Sequence, residues 1–126
     1  MSGKIIIPNG AHIWPHELQS AKALAAFGYT VEFIPACQTD GVATADVTID
    51  NLKWEMKAPT GKQLSSIEKN LRRGSKQASN IIFDSRRMKQ VPDKAIAREL
   101  SAKLHYISKI ERIIFINRHG EIIDID

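Results

Sequence analysis

The stretch 46-DVTIDNLKWEMK-57 alternates apolar and polar residues on both sides of an Asp50-Asn51 pair. Asp and Asn tolerate the positive φ that a two-residue hairpin turn requires. The stretch therefore predicts two antiparallel strands, 46–50 and 52–58, joined at that pair. Alternation sorts the side chains by face. Leu52, Trp54, Met56 and Ala58 point one way and Lys53, Glu55 and Lys57 the other, while Val47 and Ile49 part from Asp46, Thr48 and Asp50. The turn then sets Ile49 against Leu52, Val47 against Trp54, Thr48 against Lys53 and Asp46 against Glu55. Apolar residues meet apolar residues throughout, which supports the register.

The same register brings two acids face to face. Like charges ~5 Å apart repel by about 1 kcal/mol in water and roughly 3 kcal/mol at an effective dielectric near 20. Selection for stability alone avoids such a pair. A divalent cation between the carboxylates reverses the sign, and Lys57 on the same face helps. Mg²⁺ is commonly held by one or two carboxylates with water and substrate phosphate; it is the cofactor expected here, with Mn²⁺ and Zn²⁺ as alternatives. Glu17 is a third candidate ligand. It shares a helical stripe with Ala21, Leu24 and Gly28, although a glutamate in a first helical turn is also favoured by the helix dipole alone.

Working outward, the remaining segments predict one α/β (α+β) domain spanning residues 1–126, a mixed sheet flanked by helices in the order βαβββαβαββ. Strands are expected at 4–8, 29–36, 80–85, 112–117 and 121–125, and helices at 15–27, 63–79 and 93–106. Pro15 suits a first helical turn and Gly28 a helix end. CQTDGVATA (37–45) reads as a loop. In the 63–79 helix, Leu64, Ile67, Leu71 and Ala78 form a sparse apolar side. Trp54 belongs to the core.

Composition narrows the function classes. The chain is 43% hydrophobic and 25% charged, ordinary for a globular domain. No apolar run approaches the ~20 residues of a membrane span, and MSGKIIIPNGAH lacks the apolar core of a signal peptide. No membrane association is expected, nor a delivery segment within these residues. The single cysteine, Cys37, excludes an internal disulfide and a multi-cysteine zinc site; it reads as a free thiol in a reducing compartment. The formal charge is +4, which favours polyanionic partners. Lys62, Lys69, Arg72, Arg73 and Lys76 crowd one segment against a lone Glu68, and Arg86, Arg87 and Lys89 follow. That segment would dock a phosphate backbone, with Gln77 able to hydrogen-bond to it. Arg86-Arg87 fits a phosphate clamp and a solvated edge equally well. His12, His16, His105 and His119 lack ligand spacing, and His16 reads as a surface residue beside Glu17.

A helix Glu17, then Asp46, then Glu55-Met56-Lys57, then a helix with Gln77 resembles the PD-(D/E)xK nuclease superfamily, with Ala45 where that pattern has Pro. The segments IPNGAHIWPHE, GYTVEFIP, WEMKAPTGK and KQASNIIFDSRR are similar to the C-terminal tRNA nuclease domain of contact-dependent growth-inhibition toxins. The resemblance implies a restriction-endonuclease-like core and a metal-dependent RNase acting on tRNA. Glu17, Asp46 and Glu55 would hold the metal, with Lys57 assisting the attacking water. It further implies a cytoplasmic site of action, delivery as part of a larger secreted toxin, and a cognate immunity protein. Two alternatives stay open: a DNA endonuclease of the same fold, and a non-catalytic nucleic-acid- or protein-binding domain in which Asp46 and Glu55 are solvated edge charges.

Overall fold

A computed structural model describes residues 2–35 and 45–126. Cys37 and the 37–45 loop, Ala45 excepted, lie outside them. The elements follow the expected order: β1 (Ile5–Ile6), α1 (Pro15–Phe27), β2 (Val31–Phe33), β3 (Val47–Ile49), β4 (Leu52–Lys57), α2 (Ser65–Ser75), β5 (Asn80–Asp84), α3 (Asp93–Tyr106), β6 (Arg112–Ile116) and β7 (Ile122–Ile125). All seven strands form one sheet in sequence order.

Connection length decides strand direction. The helical crossovers α1, α2 and α3 join the parallel pairs β1–β2, β4–β5 and β5–β6, while shorter links join the antiparallel pairs β2–β3, β3–β4 and β6–β7. Asp50 (φ 51°) and Asn51 (φ 66°) both take the left-handed conformation at the β3–β4 turn. The register they set pairs Ile49 with Leu52, Thr48 with Lys53 and Val47 with Trp54, as the alternation required.

The sheet curls round α1, which touches β1, β2 and β7. Inside the curl, Ala21 and Leu24 pack on Val31, Phe33, Val47, Trp54, Met56, Ile82 and Ile114. On the other face Ile67 and Leu71 of α2, with Ile96 and Leu100 of α3, pack on Ile81, Phe83, Ile113 and Phe115. Covering on both faces explains why β5 and β6 are nearly unbroken apolar runs. Trp54 is core, as expected.

Several boundaries are tighter than the sequence suggested. Strands β1 and β2 are shorter, and α2 covers 65–75 rather than 63–79. Leu64, expected inward, caps α2 and is 38% exposed. Gly74 instead completes the buried stripe with Ile67 and Leu71. A Cβ there would lie 3.2 Å from Ile81 Cδ1 and 3.4 Å from both Glu55 Cγ and Lys57 Cε. The missing side chain lets α2 lie close over the β4 polar side chains.

The turn gives a stability test. Asn51→Val forces a β-branched residue into the left-handed region and should cost about 1–2 kcal/mol in urea unfolding, whereas Asn51→Gly should match or exceed the parent.

Candidate functional site

Strand β4 outruns β3, and the polar residues gather where the two part. Asp46 sits in a bend just before β3, not within the strand. Its backbone N–H still donates to Trp54 O (3.1 Å), and its carbonyl accepts from Ile34 N–H (2.9 Å). Its carboxylate replaces the next ladder acceptor: Oδ2 takes the Met56 amide at 2.8 Å. Asp46 and Glu55 are neighbours as expected, but the bend turns Asp46 toward the β4 backbone rather than leaving it squarely opposite.

Glu55 and Lys57 share the face under Gly74, the residues beside them on β5 being Ile81 and Phe83. Glu55 is only 7% exposed. Its Oε2 lies 3.5 Å from Lys57 Nζ, and its Oε1 has no hydrogen-bond partner among the described residues. Burial, reinforced by the neighbouring Asp46 carboxylate and only partly offset by Lys57, pushes the Glu55 carboxyl up to about 8. Glu17 comes from α1, in the opposite layer, and also neighbours Asp46. Desolvation raises its pKa, the Trp14 amide works against that, and Asp46 raises it further. Glu17 Oε1 accepts that amide at 2.9 Å, so it both caps α1 and borders the site.

Asp46 thus stands between Glu17 and Glu55. Among the described residues no three acidic, histidine or cysteine side chains converge on one point able to hold a metal. The donor set nevertheless fits a cation at Asp46 and Glu55. A buried carboxylate oxygen without a donor is costly, and a divalent ion would satisfy it while removing the repulsion between the two acids. Trp54 Nε1 and Asn80 Oδ1 are also buried and without a partner among the described residues, but neither belongs to an ionisable side chain.

A hollow of about 250 Å³ borders this fork, lined by His16, Gln19, Ala58, Asp84, Arg86 and Arg87. Asp84, buried at the end of β5, accepts from Ser20 Oγ (2.7 Å) and from Arg86 Nη2 (2.7 Å) and Nε. The Ser20 bond ties α1 to the sheet about one turn from Glu17. Arg86 is therefore committed to Asp84, while Arg87 is exposed and donates to Ala58 O at 2.9 Å. His16 is half-buried; desolvation and then Arg87 lower its pKa, against weaker pulls from Asp46 and Asp84. Neither Ser20 nor Asp84 stood out in the sequence. The available signal was an acid closing the apolar strand NIIFD with arginine two residues on.

The basic run divides around α2. Arg72 pairs with Glu68 (2.8 Å) and lies 5.6 Å over the Tyr106 ring, and Lys103 of α3 reaches Glu68 at 2.9 Å. Arg72 and Lys76 line a hollow with Tyr106 and Lys109, on the side toward α3. Arg73 follows roughly 100° further round, on the flank away from α3. Lys62, Lys69, Arg73 and Gln77 are exposed, Gln77 lying beyond the end of α2.

A curled mixed sheet with three helices and this polar fork is consistent with an α/β nuclease-like fold. Within that class, the chain belongs to the family described as the contact-dependent growth inhibition CdiA C-terminal domain, whose profile matches residues 43–122. It is similar to a solved structure described as the CdiA-CT/CdiI toxin and immunity complex from Burkholderia pseudomallei. The TM-score is 0.72 at 24% identity, covering 98% of this chain and 99% of that one; at such identity the likeness concerns the fold. No curated protein sequence matches the chain. Among the described residues no helix is long and apolar enough to cross a membrane.

The raised Glu55 pKa makes a signed prediction. A carboxyl whose folded pKa lies above its unfolded value contributes stability that is complete below the unfolded pKa and lost as pH rises through the folded one. With EDTA present, urea unfolding should show this contribution fading from about pH 4.5 to 8. Glu55→Gln should remove that component and be more stable than the parent at pH 9.

Proposed function

We propose that this chain is a toxin domain acting as a metal-dependent endonuclease on tRNA, with Asp46 and Glu55 holding a divalent cation, most simply Mg²⁺, and Glu17 completing the site directly or through water. The observation that carries this reading is the buried, unpartnered Glu55 Oε1 beside a second acid, with an ammonium 3.5 Å from its other oxygen. When bound, the cation would neutralise phosphate charge and acidify a water. The protein's own groups have separable tasks. Met56 N–H holds Asp46 in place and leaves Oδ1 free of that bond. Lys57, partly buried, orients the attacking water or offsets charge gathering on the phosphate. Asp84 and Ser20 anchor α1 and so fix Glu17. Lys62, Lys69 and Arg73 offer exposed cations for a phosphate backbone, Gln77 can hydrogen-bond to it, and the net charge of +4 favours its approach. Arg72, Lys76 and Arg86 are already paired or face another hollow, so their share in docking is smaller.

Family membership supports delivery of such a domain as part of a larger contact-dependent toxin. The toxin and immunity complex of similar fold supports a cognate immunity protein as partner. A tRNA target sets the site of action in the cytoplasm.

Purified protein incubated with total tRNA and with plasmid DNA tests the reading. Cleavage of tRNA should require Mg²⁺ or Mn²⁺ and stop with EDTA. It should fall by about 10²-fold or more in Glu55→Ala or Lys57→Ala. Cutting of DNA alone would keep the site and change the substrate; cutting by neither route, with nucleic acid still bound, would reduce the fork to a polar hairpin face.

A further inference from the structure

The segment 12-HIWPHE-17 leads into the fork and holds an aromatic residue that the fold does not use. Trp14 is 66% exposed, whereas the other tryptophan, Trp54, is buried. Helix-capping positions favour Ser, Thr, Asp or Asn, whose side-chain oxygen accepts a backbone N–H; Trp14 occupies that position and makes no such bond. Its indole lies nearly parallel to the His16 imidazole, centroids 6.4 Å apart and planes 16° apart. Trp14 lines an open hollow of about 360 Å³ with His12 and Ile13. His16 lines the basic hollow that also holds Arg87 and reaches Ala58, next to Lys57. The Trp14 amide is held by Glu17, the side chain that also borders Asp46.

Resting on the nuclease reading above, we propose that Trp14 and His16 form a subsite for one unpaired nucleotide of the substrate, the base stacked on the free face of Trp14 and its phosphate set beside His16 and Arg87. A flat, wet aromatic surface next to an exposed cation, here Arg87, is how single strands are gripped without sequence readout. Bases in a duplex have both faces covered, so this subsite selects an unpaired segment and passes its backbone toward the acids. His16 lies nearly parallel to the indole, offset from it. Arg87, held to Ala58 O by one N–H, keeps its other donors for a phosphate. Glu17 ties the Trp14 backbone to the acids, because the same carboxylate accepts the Trp14 amide and borders Asp46.

The test uses the full chain with Lys57→Ala to prevent cutting, titrated with a ten-nucleotide single-stranded RNA and with the same sequence closed into a blunt hairpin. Tryptophan emission should be quenched by the single strand, and the quench should vanish with Trp14→Phe, which leaves only buried Trp54 to emit. Affinity for the single strand should drop about tenfold with Trp14→Ala and stay within about threefold with Trp14→Phe. Hairpin binding should be weaker and indifferent to either change. Unchanged single-strand affinity in Trp14→Ala would overturn the subsite. Equal losses on both RNAs, or no rescue by Phe, would overturn it as well. Failure of the nuclease reading shows separately, as absent metal-dependent cleavage by the parent protein.

Discussion

The bond from Met56 N–H to Asp46 Oδ2, 2.8 Å long, sets the geometry on which the site depends. Where β3 gives way to a bend, β4 continues with β5 as its only partner and would leave the Met56 amide, on the β3 side, without a ladder acceptor. The Asp46 carboxylate fills that place and is thereby fixed at the fork. Glu55, the residue before Met56, and Glu17, arriving from the other layer, both meet it there. A backbone carbonyl would satisfy the amide as well, so the choice of a carboxylate is not explained by the sheet.

The cost falls on Glu55. Its neighbours on β5 and in α2 are apolar, Gly74 lets the helix close over it, and one oxygen has no donor. Lys57 compensates only in part, since burial and Asp46 together still hold the carboxyl largely protonated near neutral pH. A fold optimised for stability would place a methionine or leucine there. Retaining an acid that the cation-free protein prefers to protonate makes sense if a cation is its partner, and strained electrostatics of this kind concentrate at functional sites.

Local chemistry explains what the sequence disclosed. The Asp50-Asn51 turn, the alternation through Leu52–Lys57 and the bounds of α3 are written in consecutive residues, and each appears in the structure as expected. So does the separation of Trp54 and Met56 from Glu55 and Lys57. What escaped was long-range. The bond from Ser20 to Asp84 spans 64 positions, and nothing near either residue announces it. The apolar stripe of α2 suggested Leu64 as an inward residue because composition cannot reveal that Gly74 is where the helix comes closest to β4. The basic run likewise looked uniform. The Glu68–Arg72 pair, four residues apart on α2, was open to spacing alone; only the packing of α3 showed that Tyr106 lies under Arg72 and that Lys103 also reaches Glu68.

Calorimetric titration of Mn²⁺ into the protein at pH 7.5, in two buffers of different ionisation enthalpy, tests the cation site most directly. Burial and Asp46 raise the Glu55 carboxyl to about 8 without metal, so binding a cation draws off the proton that it holds. The expected result is uptake of about one ion per chain with a proton released into the buffer, both lost in Glu55→Gln. Absence of binding, or unaltered binding in Glu55→Gln, would contradict a cation between Asp46 and Glu55.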